Sequence, residues 1–188
     1  MRDANVAGPA LRAAHRQAGW YLATEFVTEA VGVEEIIIPH VQGHPTTGYR
    51  LRHERQTLIV PLMRGGESMA FGINDAVPLA MFLHAHEPHD VEHCHLHGRL
   101  TVVLVDSVIN SGKSIAEFIQ RMRDLHATIR IVVVASVIQG QAVSSSPLTQ
   151  AARLGRLTVI GLRLSDNKFT GKATTDSGNR LFNTVHLP

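Results

Sequence analysis

Four apolar runs without polar alternation recur along the chain. They cover residues 58–63, 101–105, 130–138 and 157–162 and are rich in valine, isoleucine and leucine. Runs of this length and composition are typical of strands that are covered on both faces in a parallel sheet. Segments with helical spacing separate them. The pattern therefore predicts an α/β fold, with a Rossmann-like, mostly parallel sheet flanked by helices.

The pattern before residue 57 is different. Residues 10–30 carry an apolar stripe at three- and four-residue spacing, which predicts an amphipathic helix that stops at Gly32. A short strand over residues 35–41 and an exposed hairpin over residues 48–55 are expected to follow. The stripe consists of Leu11, Ala14, Ala18, Leu22 and Phe26.

The length of the chain, 188 residues, suits one domain with a sizeable core. We expect a single domain over residues 1–188, in which residues 1–56 form an N-terminal helical and hairpin arm. Residues 57–163 would form the core, and residues 164–188 a polar, glycine-containing C-terminal hood. A flap of this kind at the edge of a sheet is suited to excluding water from a reaction.

The chain is centred on residues 100–125, where an apolar strand ends at Asp106, a loop of small residues follows and a helical pattern begins. Ligands of open α/β sheets bind at the carboxyl ends of the strands. The first turn of a helix has unpaired N–H groups and a positive dipole end, which attract phosphate. Small residues at Ser111, Gly112 and Ser114 let an anion approach the backbone, and Lys113 adds a positive charge.

Two kinds of phosphate site fit this loop. Gly112, Lys113 and Ser114 supply the second half of a nucleotide-binding P-loop, but its first glycine is replaced by Ser107. Asp106 would repel a polyphosphate, whereas a carboxylate accepts strong hydrogen bonds from the hydroxyls of a sugar. The sequence therefore favours a sugar monophosphate site, and nucleotide hydrolysis remains the weaker alternative.

Three stretches in the same order resemble the uracil phosphoribosyltransferases, which have the type I phosphoribosyltransferase fold. The first is VVLVDSVINSGKS, in which Ser107 replaces the second acidic residue of most phosphoribosyltransferases. The second is IVPLMRGGESMAFGINDAVP, which resembles the loop that holds pyrophosphate. The third is TTDSGNRLFNT near the C-terminus, which resembles the segment that reads uracil.

The resemblance implies transfer of a 5-phosphoribosyl group from phosphoribosyl pyrophosphate to uracil, giving UMP and pyrophosphate, a reaction of pyrimidine salvage. It implies a homodimer and a donor that arrives with Mg²⁺. The catalytic residues would be Asp106, which orients the ribose, and Arg64, which holds the leaving group. The implied donor-binding residues are Arg64, Gly65, Asp106, Ser107, Asn110, Ser111, Gly112, Lys113 and Ser114, and the implied uracil-binding residues are Ala173, Thr174, Thr175 and Asp176.

The chain departs from the family pattern at three positions. His84 stands where the family has an arginine on pyrophosphate, and Ala173 and Thr175 stand where it has glycines. Their side chains would occupy space that the base needs. A catalytically weak or inactive relative, which binds a nucleotide and acts as a regulatory domain, is therefore the alternative function.

Composition excludes several other classes. The formal net charge is +2 and no lysine or arginine run concentrates it, so nucleic acid is not an expected partner. No apolar stretch is long enough to span a membrane, and the start lacks the apolar segment of a signal peptide. The single cysteine, Cys94, suits a reducing compartment, and we expect a cytoplasmic protein.

Residues 84–97 contain six histidines and Cys94, the side chains that zinc or copper prefers. The spacing matches no established zinc motif. The alternation of His93, His95 and His97 instead predicts one face of an exposed strand in a solvated hairpin. We therefore expect no metal site there, with a pH-sensitive surface as a further possibility.

Overall fold

The computed structural model describes residues 3–144, 147–153, 155–169 and 171–186. Its N-terminal part is helical. Helix α1 (Gly8–Leu22) runs through a π-helical stretch (Ala23–Val27) into helix α2 (Thr28–Val31). Strands β1 (Val33–Pro39) and β2 (Pro45–Leu51) then form an antiparallel hairpin that is largely exposed. The predicted helix followed by an exposed strand is confirmed. The hairpin predicted over residues 48–55 is wrong in its bounds, because β1 itself pairs with β2 and residues 54–56 form a 3₁₀ turn.

Five strands, all parallel to their neighbours, form the central sheet in the order β4-β3-β5-β6-β7. Strands β3, β5 and β6 lie in the middle of the sheet and are almost entirely buried, as expected of strands covered on both faces. The predicted α/β class with a parallel sheet is confirmed. The strands are β3 (Thr57–Pro61), β4 (Met81–Phe82), β5 (Thr101–Ile109), β6 (Arg130–Gln139) and β7 (Leu157–Ser165).

Helices cover both faces of this sheet, and alternate strand residues point to the two sides. Ile59 packs in one apolar cluster with α1, α2 and α3, whereas Leu58 packs in a second cluster with α5. Because the apolar face of α1 lies against α3 and the sheet, this helix is part of the core. The remaining helices are α3 (Glu67–Ala76), α4 (His93–Leu96), α5 (Lys113–Leu125), α6 (Gly140–Ser144), α7 (Pro147–Arg153) and α8 (Ser177–Phe182).

The contact between α1 and α3 brings two backbones together. A Cβ atom added at Gly19 would lie 1.9 Å from the carbonyl oxygen of Met69, and one added at Gly72 would lie 1.9 Å from that of Arg16. Only glycine fits at such a distance. This close packing fixes the N-terminal helix beside the strand that carries Asp106.

The predicted stripe on α1 is wrong at its last position. Phe26 is 43% exposed, whereas Ala23 and Val27 are fully buried. The π-helical stretch explains the difference, because a π turn contains one more residue than an α turn and rotates the following residues around the helix axis. A regular three- and four-residue spacing cannot anticipate that rotation.

The predicted strand at His93, His95 and His97 is also wrong. Residues 93–96 form helix α4, in which the side chain of His95 accepts a hydrogen bond from the backbone N–H of Glu92. This capping contact favours a helical turn over the extended alternation that the sequence indicated. Among the described residues, no group of three or more histidine, cysteine or acidic side chains is arranged to hold a metal ion.

Strand β5 continues beyond its predicted end at Val105. Asp106, Val108 and Ile109 pair with β6, and the hydroxyl of Ser136 donates to the carbonyl oxygen of Ser107 at 2.5 Å. The loop before α5 is therefore shorter than the predicted residues 107–114. Within the described part of the chain, no helix is long and apolar enough to cross a membrane.

Candidate active site

A cleft of about 550 Å³ lies at the carboxyl ends of β3 and β5. Four segments that are far apart in the sequence line it. They are the loop after β3, the segment after β4, the end of β5, and the hood that follows β7. Of the predicted site residues, the cleft brings together Arg64, Gly65, Asp106, Ser107, Asn110 and Asp176.

Asp106 is the partly buried carboxylate of this cleft. Its Oδ1 accepts a hydrogen bond of 2.7 Å from the backbone N–H of Ser107. Burial raises the pKa of Asp106 to about 7, although the backbone N–H groups of Ser107 and Val108 favour the charged form. No cation forms an ion pair with Asp106 among the described residues. The carboxylate is thus available to hydroxyl groups of a ligand.

The loop after β3 approaches Asp106 closely. A Cβ atom added at Gly65 would lie 3.0 Å from Oδ1 of Asp106, and one added at Gly66 would lie 2.0 Å from the carbonyl oxygen of Val105. The two glycines let this backbone pass directly over the end of β5. They place Arg64, whose preceding peptide bond is cis, in the same cleft as Asp106.

Arg64 connects the loop to the hood. Its Nη2 donates to Oδ1 of Asn179 at 2.8 Å and its Nη1 donates to Oγ1 of Thr184 at 3.2 Å. A Cβ atom added at Gly178 would lie 3.5 Å from Nε of Arg64. Both of these hydrogen-bond partners are neutral, so neither offsets the positive charge of the guanidinium.

The loop after β5 ends in a left-handed residue, Gly112 (φ +73°), and α5 begins at Lys113. The N–H groups of the first turn of a helix of this length attract anions. Ser111, Lys113 and Ser114 are exposed at this turn. Nζ of Lys113 lies 3.8 Å from Oε1 of Glu117, an exposed pair that a phosphate could displace.

Asp176 caps the helix of the hood. Its Oδ1 accepts a hydrogen bond of 2.8 Å from the backbone N–H of Asn179 at the start of α8. The preceding residues form a short 3₁₀ turn (Ala173–Thr175) in which Ala173 has a positive φ of 42°. Asp176 is part of the described lining of the cleft, whereas Ala173, Thr174 and Thr175 are not, and their contact with uracil stays a prediction.

The cleft is also lined by residues that were not among the predicted site residues. They come from the segment after β4 and from the hood. The hood is held to the end of β5 by Asn110, whose Oδ1 accepts a hydrogen bond of 2.9 Å from the backbone N–H of Phe169. In the sequence, two glycines in the polar C-terminal segment were the features that could have indicated the hood residues. The additional lining residues are His86, Lys168, Phe169, Gly171, Ser177 and Gly178.

His84 lies outside the described lining of the cleft. Its Nε2 lies 3.0 Å from Oε1 of Glu67, and its ring packs edge-on against Phe71 and Phe82. His86, two residues later, lines the cleft instead. Arg64 and Lys168 thus place positive charge in the cleft, together with the imidazole of His86.

A buried histidine on α1 supports the strand that carries Asp106. Nδ1 of His15 lies 2.9 Å from the carbonyl oxygen of Leu11, and Nε2 lies 2.9 Å from Oγ of Ser107. A carbonyl oxygen only accepts, so Nδ1 carries the proton and Nε2 accepts from the Ser107 hydroxyl. Burial lowers the pKa of His15, which favours this neutral form. A single histidine in an apolar stripe gave no signal for this contact.

This arrangement defines a class of protein. A carboxylate at the edge of a parallel sheet, a helix start after it, a glycine-rich loop with an arginine, and a hood are the features by which the sequence resembles the type I phosphoribosyltransferases. The family model for uracil phosphoribosyltransferase matches residues 1–184. The chain belongs to the uracil phosphoribosyltransferase family and is a phosphoribosyltransferase.

Individual relatives agree with this assignment. The chain is 27% identical over 195 residues to a uracil phosphoribosyltransferase of Alkaliphilus oremlandii (strain OhILAs), in a match that covers 98% of this chain and 91% of that protein. Its fold is similar to that of the AQ2163 protein from Aquifex aeolicus, with a TM-score of 0.73 and 15% identity over 96% of this chain and 89% of the other. The second likeness concerns the fold alone.

Proposed function

We propose that this phosphoribosyltransferase uses uracil as acceptor and phosphoribosyl pyrophosphate as donor, forming UMP and pyrophosphate in the cytoplasm. One observation carries the proposal. Asp106, Arg64 and Asp176 come from three distant segments and line one cleft. Each has the chemistry that one part of this reaction requires.

Asp106 is assigned to the ribose. Its carboxylate has no ion-pair partner among the described residues, so the hydroxyls of a sugar can donate to it. Hydrogen bonds to the charged form lower the pKa of a carboxyl group, and bound ribose would therefore keep Asp106 ionised at neutral pH. The N–H groups at the start of α5 are assigned to the 5′-phosphate.

Arg64 is assigned to the pyrophosphate. The bond between C1′ and the pyrophosphate oxygen breaks with both electrons going to pyrophosphate, and positive charge develops on the ribose as in glycosyl transfer. Arg64 stabilises the developing charge of the leaving group, because its planar fork suits phosphate oxygens. The bond from N1 of uracil to C1′ then forms, and the N1 proton leaves with the pyrophosphate.

Mg²⁺ belongs to the donor in this proposal. The cation prefers oxygen ligands and keeps several waters, and it is usually bound through substrate phosphates with one or two carboxylates. The cleft suits this arrangement, since its described lining has two carboxylates, those of Asp106 and Asp176. These two carboxylates would hold the Mg²⁺ of the donor, which would supply charge neutralisation of the pyrophosphate, while the protein positions the two substrates.

A homodimer is part of the proposal. Ile37, Val41 and Tyr49 on the hairpin of β1 and β2 are 71%, 95% and 72% exposed. Large apolar side chains gathered on one exposed hairpin favour a protein partner, and a second copy is the partner that the family implies. Light scattering coupled to size-exclusion chromatography measures this, and a monomeric mass at micromolar concentration would reject the dimer.

The test of the reaction uses purified protein, phosphoribosyl pyrophosphate, Mg²⁺ and radiolabelled uracil, with formation of UMP as the readout. We expect UMP to form, and Asp106→Asn to reduce kcat by about 100-fold or more, since an amide stabilises positive charge on the ribose poorly. Arg153→Met, an exposed change on α7, serves as the matched surface control. Failure to form a nucleotide from any base would reject the proposal.

A second candidate function is supported by the contacts of Arg64. Its hydrogen bonds to Asn179 and Thr184 hold the pyrophosphate loop against the hood. If these contacts persist when ligand binds, the protein would bind a nucleotide without turnover and act as a regulatory domain. Calorimetry with UMP and with the donor, alongside the turnover assay, separates the two functions.

A further inference from the structure

Among the described residues, the end of β5 that carries Asp106 is paired with a neighbouring strand on one side only. Strand β3 pairs with β5 as far as Val105, whereas β6 pairs with it as far as Ile109. A segment with one ladder of backbone hydrogen bonds is less constrained than a segment between two strands. The direction of the Asp106 carboxylate therefore depends on further contacts of this segment.

Ser107 makes these further contacts, because three of its polar groups are hydrogen-bonded. Its backbone N–H donates to Oδ1 of Asp106 at 2.7 Å, and its carbonyl oxygen accepts from the hydroxyl of Ser136 at 2.5 Å. Its hydroxyl donates to Nε2 of His15 at 2.9 Å. The side chain of Ser107 thus links α1 to the residue whose backbone holds the Asp106 carboxylate.

His15 is a fixed partner for this hydroxyl. It is 4% exposed, and its Nδ1 lies 2.9 Å from the carbonyl oxygen of Leu11, one turn earlier on α1. This contact fixes the tautomer that presents an unprotonated Nε2 to Ser107. Helix α1 is itself held to α8 by Arg12, whose Nη1 donates to the carbonyl oxygen of Leu181 at 2.6 Å. The histidine therefore lies on a rigid element, which suits a supporting role in a site.

The contact between His15 and Ser107 lies at the boundary between two spaces. A second cavity, of about 560 Å³, adjoins the cleft, and His15 lines this cavity whereas Asp106 lines the cleft. The lining of both includes Ser107. A shift of Ser107 would therefore change the surface on which a ligand of the cleft rests, as well as the direction of the neighbouring carboxylate.

We infer that His15 is a positioning residue for the proposed reaction, which acts through Ser107 to hold the Asp106 carboxylate towards the ribose hydroxyls. This inference rests on the proposed function, in which Asp106 binds the ribose. His15 itself contacts neither substrate in this role. A small misplacement of a catalytic group weakens its interaction with the substrate and with the transition state, so a residue that prevents the misplacement contributes to the reaction.

Discrimination between ribose and deoxyribose nucleotides tests this role without requiring turnover. Calorimetry on the full chain compares the dissociation constant of UMP with those of 2′-deoxy-UMP and 3′-deoxy-UMP. We expect the wild type to bind UMP about 10- to 100-fold more tightly than one of the deoxynucleotides, the effect of one hydrogen bond to a charged group. His15→Leu and Ser107→Ala should each reduce this ratio of dissociation constants towards one.

Two further single variants serve as controls. His15→Gln has an amide oxygen that can accept from the Ser107 hydroxyl, and it should retain most of the ratio. His97→Leu removes an exposed histidine that lies outside the described lining of both cavities, and it should leave the ratio unchanged.

The double variant with His15→Leu and Ser107→Ala separates positioning from stability. Replacing both partners of a buried hydrogen bond by apolar groups costs less stability than leaving one partner unpaired, so its Tm should exceed that of either single variant. A positioning role predicts that the ratio stays near one although Tm recovers. A purely structural role predicts that the ratio recovers together with Tm.

A ratio that is unchanged in His15→Leu, or that recovers in the double variant, would overturn the inference. Equal binding of all three nucleotides by the wild type would also overturn it, because Asp106 would then contact no ribose hydroxyl. A wild-type chain that forms no nucleotide from any base would instead reject the proposed reaction, while the binding ratios would still decide on His15.

Discussion

Replacing Asp106 by asparagine should weaken catalysis and strengthen the fold. The carboxyl group lies partly buried without an ion-pair partner among the described residues, and burial raises its pKa from 3.8 to about 7. Asparagine has nearly the same shape, carries no charge and keeps an oxygen that can accept from the Ser107 N–H. The substitution therefore removes the charge with little other change.

The size of the stabilisation follows from the two pKa values. Because each pKa unit corresponds to about 1.36 kcal/mol, the interval from 3.8 to about 7 corresponds to about 4 kcal/mol, an upper limit for a carboxylate that reaches solvent. The folded state binds the proton more tightly than the unfolded state. The wild-type protein is thus fully stabilised below pH 4, loses this stability as the pH rises from 4 to 7, and lacks it above pH 7.

Thermal unfolding at several pH values, without ligands, measures this difference. For a domain of this size each kcal/mol shifts Tm by about 2 to 4 °C. We expect Asp106→Asn to raise Tm by about 5 °C or more at pH 8 and to have little effect at pH 4. Asp176→Asn is the matched control, since asparagine caps a helix as well as aspartate. Equal Tm values for wild type and Asp106→Asn at pH 8 would refute the assignment of an unpaired, buried charge.

Three further predictions concern packing, the leaving group and the support of β5. Gly72→Ala should lower Tm by about 5 to 10 °C, because its Cβ would lie 1.9 Å from a backbone oxygen. Gly140→Ala, whose Cβ would have its closest neighbour at 3.9 Å, should leave Tm unchanged. Equal Tm values for the Gly72→Ala variant and the wild type would contradict the close packing of α1 and α3. Arg64→Met should lower kcat/KM for the donor about 10- to 100-fold in steady-state kinetics, and an unchanged kcat/KM would remove Arg64 from the pyrophosphate site. His15→Ala should lower the free energy of unfolding in urea by about 1 to 3 kcal/mol, because the Ser107 hydroxyl is left buried without a partner; no loss would show that water replaces the ring.

The sequence was sufficient for the parallel sheet and for the strand, loop and helix around Asp106. Continuous β-branched runs indicate burial on both faces, and a small-residue loop before an amphipathic pattern indicates a helix start. These signals are local. They could be read without knowing which elements pack together.

Features that depend on distant contacts could not be read in this way. The extension of β5 past Asp106 requires pairing with β6, and the contact between His15 and Ser107 joins residues 92 positions apart. The partners of Arg64, Asn179 and Thr184, are 115 and 120 positions away. Each of these contacts shapes the site, and each is set by tertiary packing that no local pattern encodes.

The charges of the cleft connect the fold to the reaction. Neither Asp106 nor Arg64 forms an ion pair with any residue that the structure describes, although both line the same cleft. A charge that is partly removed from water without a counter-charge destabilises the folded protein. Arg64 is exposed and carries no such penalty. A donor whose hydroxyl groups reach Asp106 would relieve the penalty at the carboxylate, while its pyrophosphate would pair with the guanidinium of Arg64. The cleft is therefore complementary to a ligand with a sugar and an anionic group held side by side, which is the chemical outline of phosphoribosyl pyrophosphate.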